Sequence, residues 1–490
     1  MESRIRSAVE TGGVTEFHED RYFDPDPTTR SLARELYEGT RALPIVSPHG
    51  HVDAALLAAN EAFADPASLI VTPDHYILRL LYSRGVSLES LGVRRLDDST
   101  TGVETDPKKI WQTFAENWHL FRATPTHAWI EYELHEVFGI DRVLSADTAG
   151  EVYDAIAERL RSPEFRPQSL LKRFNIEFLA TTDGATDSLQ SHHTLRGANL
   201  GTRIVPTFRP DALFAIGAAE WTKALHRLAE VTGGEIETYG DFINCIRKRR
   251  AEFKEAGATA TDHGVITPHT ERLSADDVER IFARAVEGKA NRHDQSRFEA
   301  HMLMEMAALS TEDGLVMQLH AGALRNHNEQ LYKRYGANRG GDIPVATEFT
   351  RNLRQLLNAY GNDSRFRLIV FTLDESAYSR ELAPLAGHYP AMLLGAPWWF
   401  HDSIEGMTRF RRETTGTAGI ENTAGFTDDT RAFCSIPARH DLSRRVDANY
   451  LAGMVAKHII SMTEAREMAH LLAYDLAKRA YRIDEGSKSK

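Results

Sequence analysis

Cysteine is almost missing from this sequence: Cys245 and Cys434 are the only two among 490 residues. So few in so long a chain give no disulfide framework and fit a reducing compartment. Long apolar runs are missing as well. No stretch approaches the roughly 18 apolar residues of a membrane span, and the opening MESRIRSAVETGG lacks the apolar core of a signal peptide. Positive charge is in deficit, with 58 Lys and Arg against 70 Asp and Glu, a net charge of −12. A general nucleic-acid binder would be basic. An anionic small substrate is still allowed, because local arginines override the global field. Neither a Walker loop nor a GxGxxG occurs, so a bound nucleotide has no support. There is no fixed-period repeat and no low-complexity block, and EGSKSK at the end reads as a frayed tail. With 42% hydrophobic and 26% charged residues, a soluble cytoplasmic enzyme without nucleic-acid or membrane partners is expected.

Short apolar runs recur along the chain, most of them ending in polar residues. They are LPIVSPHGH (43–51), IEFLATTD (176–183), RIVPTFRPD (203–211), ATATDHG (258–264), LVMQLHAG (315–322), RLIVFTLD (367–374), AMLLGAPWW (391–399) and GIENTAGFTDD (419–429). Helical patterns such as 277–288 and 347–361 lie between most of them. Strands alternating with helices predict a parallel sheet, and eight of them predict an α/β fold, a (β/α)₈ barrel; the doubly wound open sheet is the competitor, and the lack of a glycine-rich first turn counts against it. About 120 residues separate the first two runs. HYILRLLYSRG, KKIWQTFAENWHLF and YDAIAERLRS in that stretch have helical patterns. The expectation is one barrel domain over 1–490, with a helical insertion over 60–170.

Barrel strands present their chemistry at their C-terminal ends. Polar residues sit there: His49 and His51, Thr181 to Asp183, Arg209, Asp262 and His263, His320, Trp398 and Trp399, and Asp429. Residues two apart on a strand face the same way, so His49 and His51 can grip one metal ion. Among 21 histidines a bare H-x-H is a weak signal, and a turn with two solvated histidines is its plain alternative. Two histidines and a carboxylate suit zinc, manganese or iron, and Asp429, at the end of the last run, can close such a set.

The same residues resemble the amidohydrolase superfamily and, more narrowly, the uronate isomerase family. The resemblance is carried by PHGH (48–51), DHYxxR (74–79), TPTHAWxExELxEVFG (124–139), LATTD (179–183), PTFRPD (206–211), ATDHG (260–264), MQLHAGALRNHN (317–328), WWFHD (398–402), DTRAFxS (429–435) and ARH (438–440). The family's eighth-strand signature usually reads T-D-S-R. Here it is T-D-D-T-R, which leaves Asp428 or Asp429 as the ligand, and spacing to Arg431 and Phe433 favours Asp429. The resemblance implies a barrel with a helical insertion and one divalent metal, Zn²⁺ first with Mn²⁺ or Fe²⁺ as alternatives. It also implies interconversion of D-glucuronate with D-fructuronate, or of D-galacturonate with D-tagaturonate.

The resemblance further implies that His75, Tyr76 and Arg79 reach the site from the insertion. Isomerisation of this kind needs a base near carbon, a proton carrier near oxygen and charge against the developing oxyanion. Asp429 is the expected base, with Tyr76 and His75 the candidates for the second proton. A substrate carboxylate asks for an arginine fork, and Arg209 and Arg431 are the candidates. Trp398 and Trp399 supply an apolar floor, one of them expected only to pack. His320 is a substrate partner or a further ligand, His263 a weaker candidate, and Asp183 a residue that orients a neighbour. The rival readings are a metal-dependent hydrolase of the same superfamily and a non-catalytic sugar-binding barrel. Against the first, no clear fourth-strand lysine or sixth-strand histidine is present. Barrel enzymes of this size often form homo-oligomers, though no interface can be read.

Overall fold

In most of these runs every second residue is apolar, and in the computed structural model those residues turn inward from a ring of parallel strands. The structure describes residues 17–484 apart from 98 and 100. The opening residues and the EGSKSK tail, with the expectations attached to them, lie outside the described residues. The strands are β1 (Ile45–Ser47), β2 (Ile176–Ala180), β3 (Asp183–Gly184), β4 (Arg203–Val205), β5 (Phe208–Arg209), β6 (Ala260–Val265), β7 (Val316–Ala321), β8 (Ala323–Leu324), β9 (Ile343–Pro344), β10 (Leu368–Thr372) and β11 (Met392–Leu394).

Two parallel sheets, β1-β2-β4 and β11-β10-β7-β6-β5-β3, form one wall. The runs 176–183 and 203–211 each break in two, yet the ladder continues across the breaks, with the amide of Thr181 bonded to Val205 O at 3.0 Å and that of Asp183 to Thr207 O at 3.0 Å. The eighth position departs from expectation. Residues 419–429 form no strand, only a bridge from Leu394 to Thr423. Two residues twist the backbone out of the β region: Gly425 at φ 75° and Asp429 at φ 42°. A Cβ on Gly425 would lie 2.7 Å from the Ala477 nitrogen, so the chain passes too close to that helix for any side chain. The segment still closes the ring, through Asp429 N to His49 O at 3.3 Å and His51 N to Thr430 O at 2.9 Å. The helix expected over 347–361 is also shorter, Arg354–Tyr360. The Glu381 carboxylate takes the amides of Phe349 and Thr350 at 2.6 and 2.8 Å, which holds that stretch as a loop.

Val46, Phe178, Ala180, Val205, Ala260, Val316, Ile369, Phe371 and Leu393 fill the barrel, while Met317, Leu319, Leu368, Val370 and Met392 pack outward under the helices. Tyr481 is wholly buried in the inner cluster, and its hydroxyl donates to Gln318 Oε1 at 2.9 Å. That contact plugs the end where the strands begin and leaves the other end open for a site.

Three helices matter below: α1 (Pro27–Glu38), α2 (His75–Ser83) and α3 (Ile436–Ala456). Between β1 and β2 the named elements are all helical, among them α2, Pro107–Glu116, Pro125–Tyr132, Ala149–Leu160 and Pro167–Arg173. Aspartate or threonine followed by proline starts two of them, Asp106 and Thr124 capping the first amides. Trp111, Phe114, Phe121 and Ile156 share one buried cluster with Ile45, Ile176 and Leu179 on the barrel flank. No helix among the described residues is long and apolar enough to cross a membrane.

Candidate active site

At the open end a cavity of about 410 Å³ is lined by residues from several strand ends. β1 stops at Ser47, so His49 and His51 sit just past the strand and the period-two argument does not orient them. The backbone bonds to residues 429 and 430 do. Both Nε2 atoms turn to one oxygen, Asp429 Oδ1, at 3.3 Å from His49 and 3.0 Å from His51. Neither contact has hydrogen-bond geometry, so Oδ1 is a buried carboxylate oxygen without a donor. Leaving such an atom bare is costly. Two imidazole nitrogens and a carboxylate oxygen within 4.8 Å of one another fit a divalent cation. Asp428 points the other way, to His440 Nε2 at 3.1 Å.

Electrostatics follow the packing. Burial disfavours charge on Asp429, but the two histidines outweigh it and hold the carboxyl well below its usual range. Burial also disfavours charge on His49, yet the facing carboxylate raises its pKa, whereas burial pushes His51 down to about 4. His75, the first residue of α2, follows the cap Asp74, which accepts from Tyr76 N at 2.7 Å. Burial, then Arg431 and Arg439, push His75 to about 3, so the ring is neutral, and its Nε2 has no partner.

His320 stacks on Phe371 at 4.2 Å and on His49 at 4.6 Å. Its Nδ1 bonds Asp262 Oδ1 at 2.7 Å, and Arg209 Nη1 lies 3.1 Å from Asp262 Oδ2. Burial opposes charge on Asp262, but Arg209 and His320 hold its pKa well below the usual range. His49, Asp262 and His320 are a second grouping of ligand-type atoms, one already neutralised by the Arg209 guanidinium. Arg209 also donates to Asp211 at 2.9 Å. Arg431 donates to Asn338 at 3.0 Å, and its Nε is buried without a partner. Trp398 and Trp399 stack at 5.2 Å and both line the cavity, so neither only packs.

The cavity thus gathers His49, His51, His75, Arg209, His320, Trp398, Trp399, Asp429 and Arg431. Tyr76 and Arg79 are not among its lining residues. The Tyr76 hydroxyl donates to Asp402 at 2.7 Å, and Arg79 lies over the Phe400 ring at 4.9 Å, beside a smaller crevice shared with His75 and Tyr76. His263 faces outward, bonded to Thr261 at 2.9 Å. Asp183 accepts from Thr181 at 2.6 Å. Sequence reasoning gave no role to several cavity residues, among them Asp211, Asp262, Arg325 and Asn338. Asp262 was named at its strand end, and alternation could have turned it to the site, since it shares parity with inward Ala260. Arg325 falls inside MQLHAGALRNHN (317–328) but received no role there, and nothing marked Asn338; both lie between β8 and β9.

An α/β barrel with a two-histidine, one-carboxylate set and an arginine-flanked cavity defines a metal-site barrel enzyme for an anionic small molecule. A glucuronate isomerase family profile matches residues 16–481. The uronate isomerase of Nostoc punctiforme is 53% identical over 466 residues, 95% of this chain and 98% of that protein. The crystal structure of glucuronate isomerase from Caulobacter crescentus superposes with a TM-score of 0.94 at 47% identity, covering 96% of this chain and 97% of that one. The uronate isomerase structure from Thermotoga maritima superposes at 0.89 with 30% identity, covering 95% and 100%. The chain belongs to the glucuronate (uronate) isomerase family, and it is an aldose–ketose isomerase. The hydrolase alternative gains no support from these relatives.

Proposed function

We propose that the barrel mouth interconverts D-glucuronate with D-fructuronate, D-galacturonate with D-tagaturonate, or both, by moving a proton between C2 and C1. The observation that carries the site assignment is the convergence of His49, His51 and Asp429 in one cavity with a neutral, unpartnered His75 and the open Nε of Arg431. His49, His51 and Asp429 would hold one divalent ion, Zn²⁺ by the nature of the donors, with Mn²⁺ and Fe²⁺ as alternatives. When bound, the ion supplies positive charge against the oxyanion that develops as the C–H proton leaves.

Asp429 takes the carbon-bound proton on the carboxylate oxygen not turned to the histidines. A carboxyl held this low is a weak base, so the substrate C–H must be acidified first. His75 carries the proton between the two sugar oxygens, since a neutral imidazole with a free nitrogen both gives and accepts. Tyr76, its hydroxyl given to Asp402, backs His75 rather than meeting the substrate. Arg431 grips the substrate carboxylate through its open edge. Arg209, with Asp211 and Asp262 already on it, contributes only its remaining N–H groups. His320, its Nδ1–H given to Asp262, accepts at Nε2 from a substrate hydroxyl, the stacked Trp398 and Trp399 floor the sugar, and Arg79 flanks the entrance. The chain is read as one catalytic domain with 60–170 inserted, a reading supported by the cluster shared between insertion and barrel flank. The two buried free cysteines support a cytoplasmic setting.

Purified protein with one equivalent of Zn²⁺ should convert D-glucuronate or D-galacturonate to the matching ketose, followed by NMR. No ketose from either uronate, with any of the three metals, would sink the proposal.

A further inference from the structure

A second cavity, about 540 Å³, opens on the barrel flank between α1, the start of β1, the helix ends at Tyr132 and Arg173, and α3. It shares no lining residue with the barrel mouth. Arg444 of α3 forms part of its wall and is only 7% exposed. Its two terminal nitrogens donate to the carbonyls of Arg41 and Pro44 at 3.0 and 2.9 Å, and its Nε is buried without a partner.

The other buried arginines among the described residues each face a carboxylate: Arg249 with Glu252, Arg250 with Asp313, Arg411 with Asp447, Arg439 with Asp402 and Arg445 with Asp441. Arg444 has none. The acid in its own wall, Asp441, is already committed to Arg21 at 2.6 Å, to Arg445 at 2.9 Å and to the Tyr37 hydroxyl. A buried guanidinium facing only carbonyl oxygens keeps most of its desolvation cost, and burial accordingly lowers its pKa. Two more arginines, Arg41 and Arg173, line the same space. The remaining acid, Glu136, lies at the exposed rim, 3.3 Å from His135.

We propose that this cavity is a second binding site, for the carboxylate or phosphate group of a small organic acid, seated on Arg444 with Arg41 and Arg173 closing over it. Arginine suits either oxyanion, because its planar fork matches both. The inference goes beyond the isomerase reading and does not depend on it.

The test is calorimetric titration of the metal-loaded enzyme with inorganic phosphate and, separately, with succinate, which distinguishes the two anion types. At least one should bind the wild type with an equivalent that Arg444→Gln and Arg173→Gln each weaken at least about tenfold and that Arg431→Gln leaves unchanged. Arg173 is exposed, so its variant decides the matter if Arg444→Gln does not fold. Binding of neither anion overturns the proposal. So does an equivalent lost in Arg431→Gln but retained in Arg173→Gln, which belongs to the barrel mouth.

Discussion

Gly395 sits one residue past β11, and a Cβ there would meet the Phe371 ring at 2.4 Å from Cδ1 and 2.6 Å from Cε1 and Cγ. Ordinary carbon contact needs about 1 Å more. The ring cannot give way freely, since its other face stacks on His320 at 4.2 Å and 10°. His320 in turn stacks on His49. Gly395→Ala therefore drives Phe371 against His320 and tilts the histidine that Asp262 holds. Overpacking of this kind costs about 1–3 kcal/mol, or only about 1–3 °C in Tm for a chain of this length. Activity should suffer more, because a displacement of about 1 Å at reacting groups costs on the order of a hundredfold. The assays are thermal unfolding and kcat/KM for the uronate. The control is Gly416→Ala, in the helix Ile404–Ala418, where nothing lies within 4 Å of the new Cβ. It should leave activity unchanged and raise stability slightly. A Gly395→Ala enzyme within about twofold of wild-type kcat/KM would show that the stack does not hold His320 in place, and the reasoning would fail.

Asp429→Asn keeps size but removes the charge and the basic oxygen, and kcat should fall at least about a thousandfold in steady-state assays; near-normal turnover with metal retained would move the base elsewhere. His49→Ala combined with His51→Ala should abolish stoichiometric metal binding, by elemental analysis, in a protein that keeps its circular dichroism. Arg431→Ala should lower kcat/KM roughly 30- to several-thousandfold, with neutral hexoses poor substrates even for the wild type; equal turnover of glucose and glucuronate would refute the carboxylate role. Glu133 is buried and its carboxyl is raised to about 8 by burial, then by Asp74. The folded state binds this proton more tightly than the unfolded one, so its contribution is complete below about pH 4.5 and is lost as pH rises through about 8. Glu133→Gln should match the wild type in Tm near pH 4.5 and exceed it increasingly towards pH 8; a gap constant with pH would contradict the shift.

The barrel was legible because apolar runs that end in polar residues report a buried strand and its exposed mouth in one pattern. Runs at 315–322 and 367–374 became β7 and β10 over most of their length, since every inward residue there has an apolar or stacked neighbour across one of its ladders. The eighth position defeated the pattern. GIENTAGFTDD has the spacing of a strand, but the close approach of Ala477 at Gly425 is a contact from a distant helix, and no local signal carries it. The segment bearing Arg325 and Asn338 was legible only in part, Arg325 falling within the 317–328 motif, for a related reason. The β8–β9 pair is two residues on each side, too short for periodicity to register, yet Arg325 and Asn338, on the segment that pair encloses, line the mouth.

The adjacent aspartates, 428 and 429, show where sequence stops and backbone geometry takes over. Spacing to Arg431 favoured the second, but neighbouring residues on a regular strand would face opposite sides in either register, and a one-residue slip would exchange them. What fixes the outcome is the left-handed turn at Asp429, φ 42°, a conformation that aspartate tolerates better than most non-glycine residues. It swings the Asp429 carboxylate over His49 and His51 while leaving Asp428 bonded to His440 on α3. Strain held at such a position marks a site that the surrounding structure over-determines. Here the determinants are the two backbone bonds that close the ring and the His440 anchor, so the placement of the Asp429 carboxylate at the mouth depends on barrel closure itself.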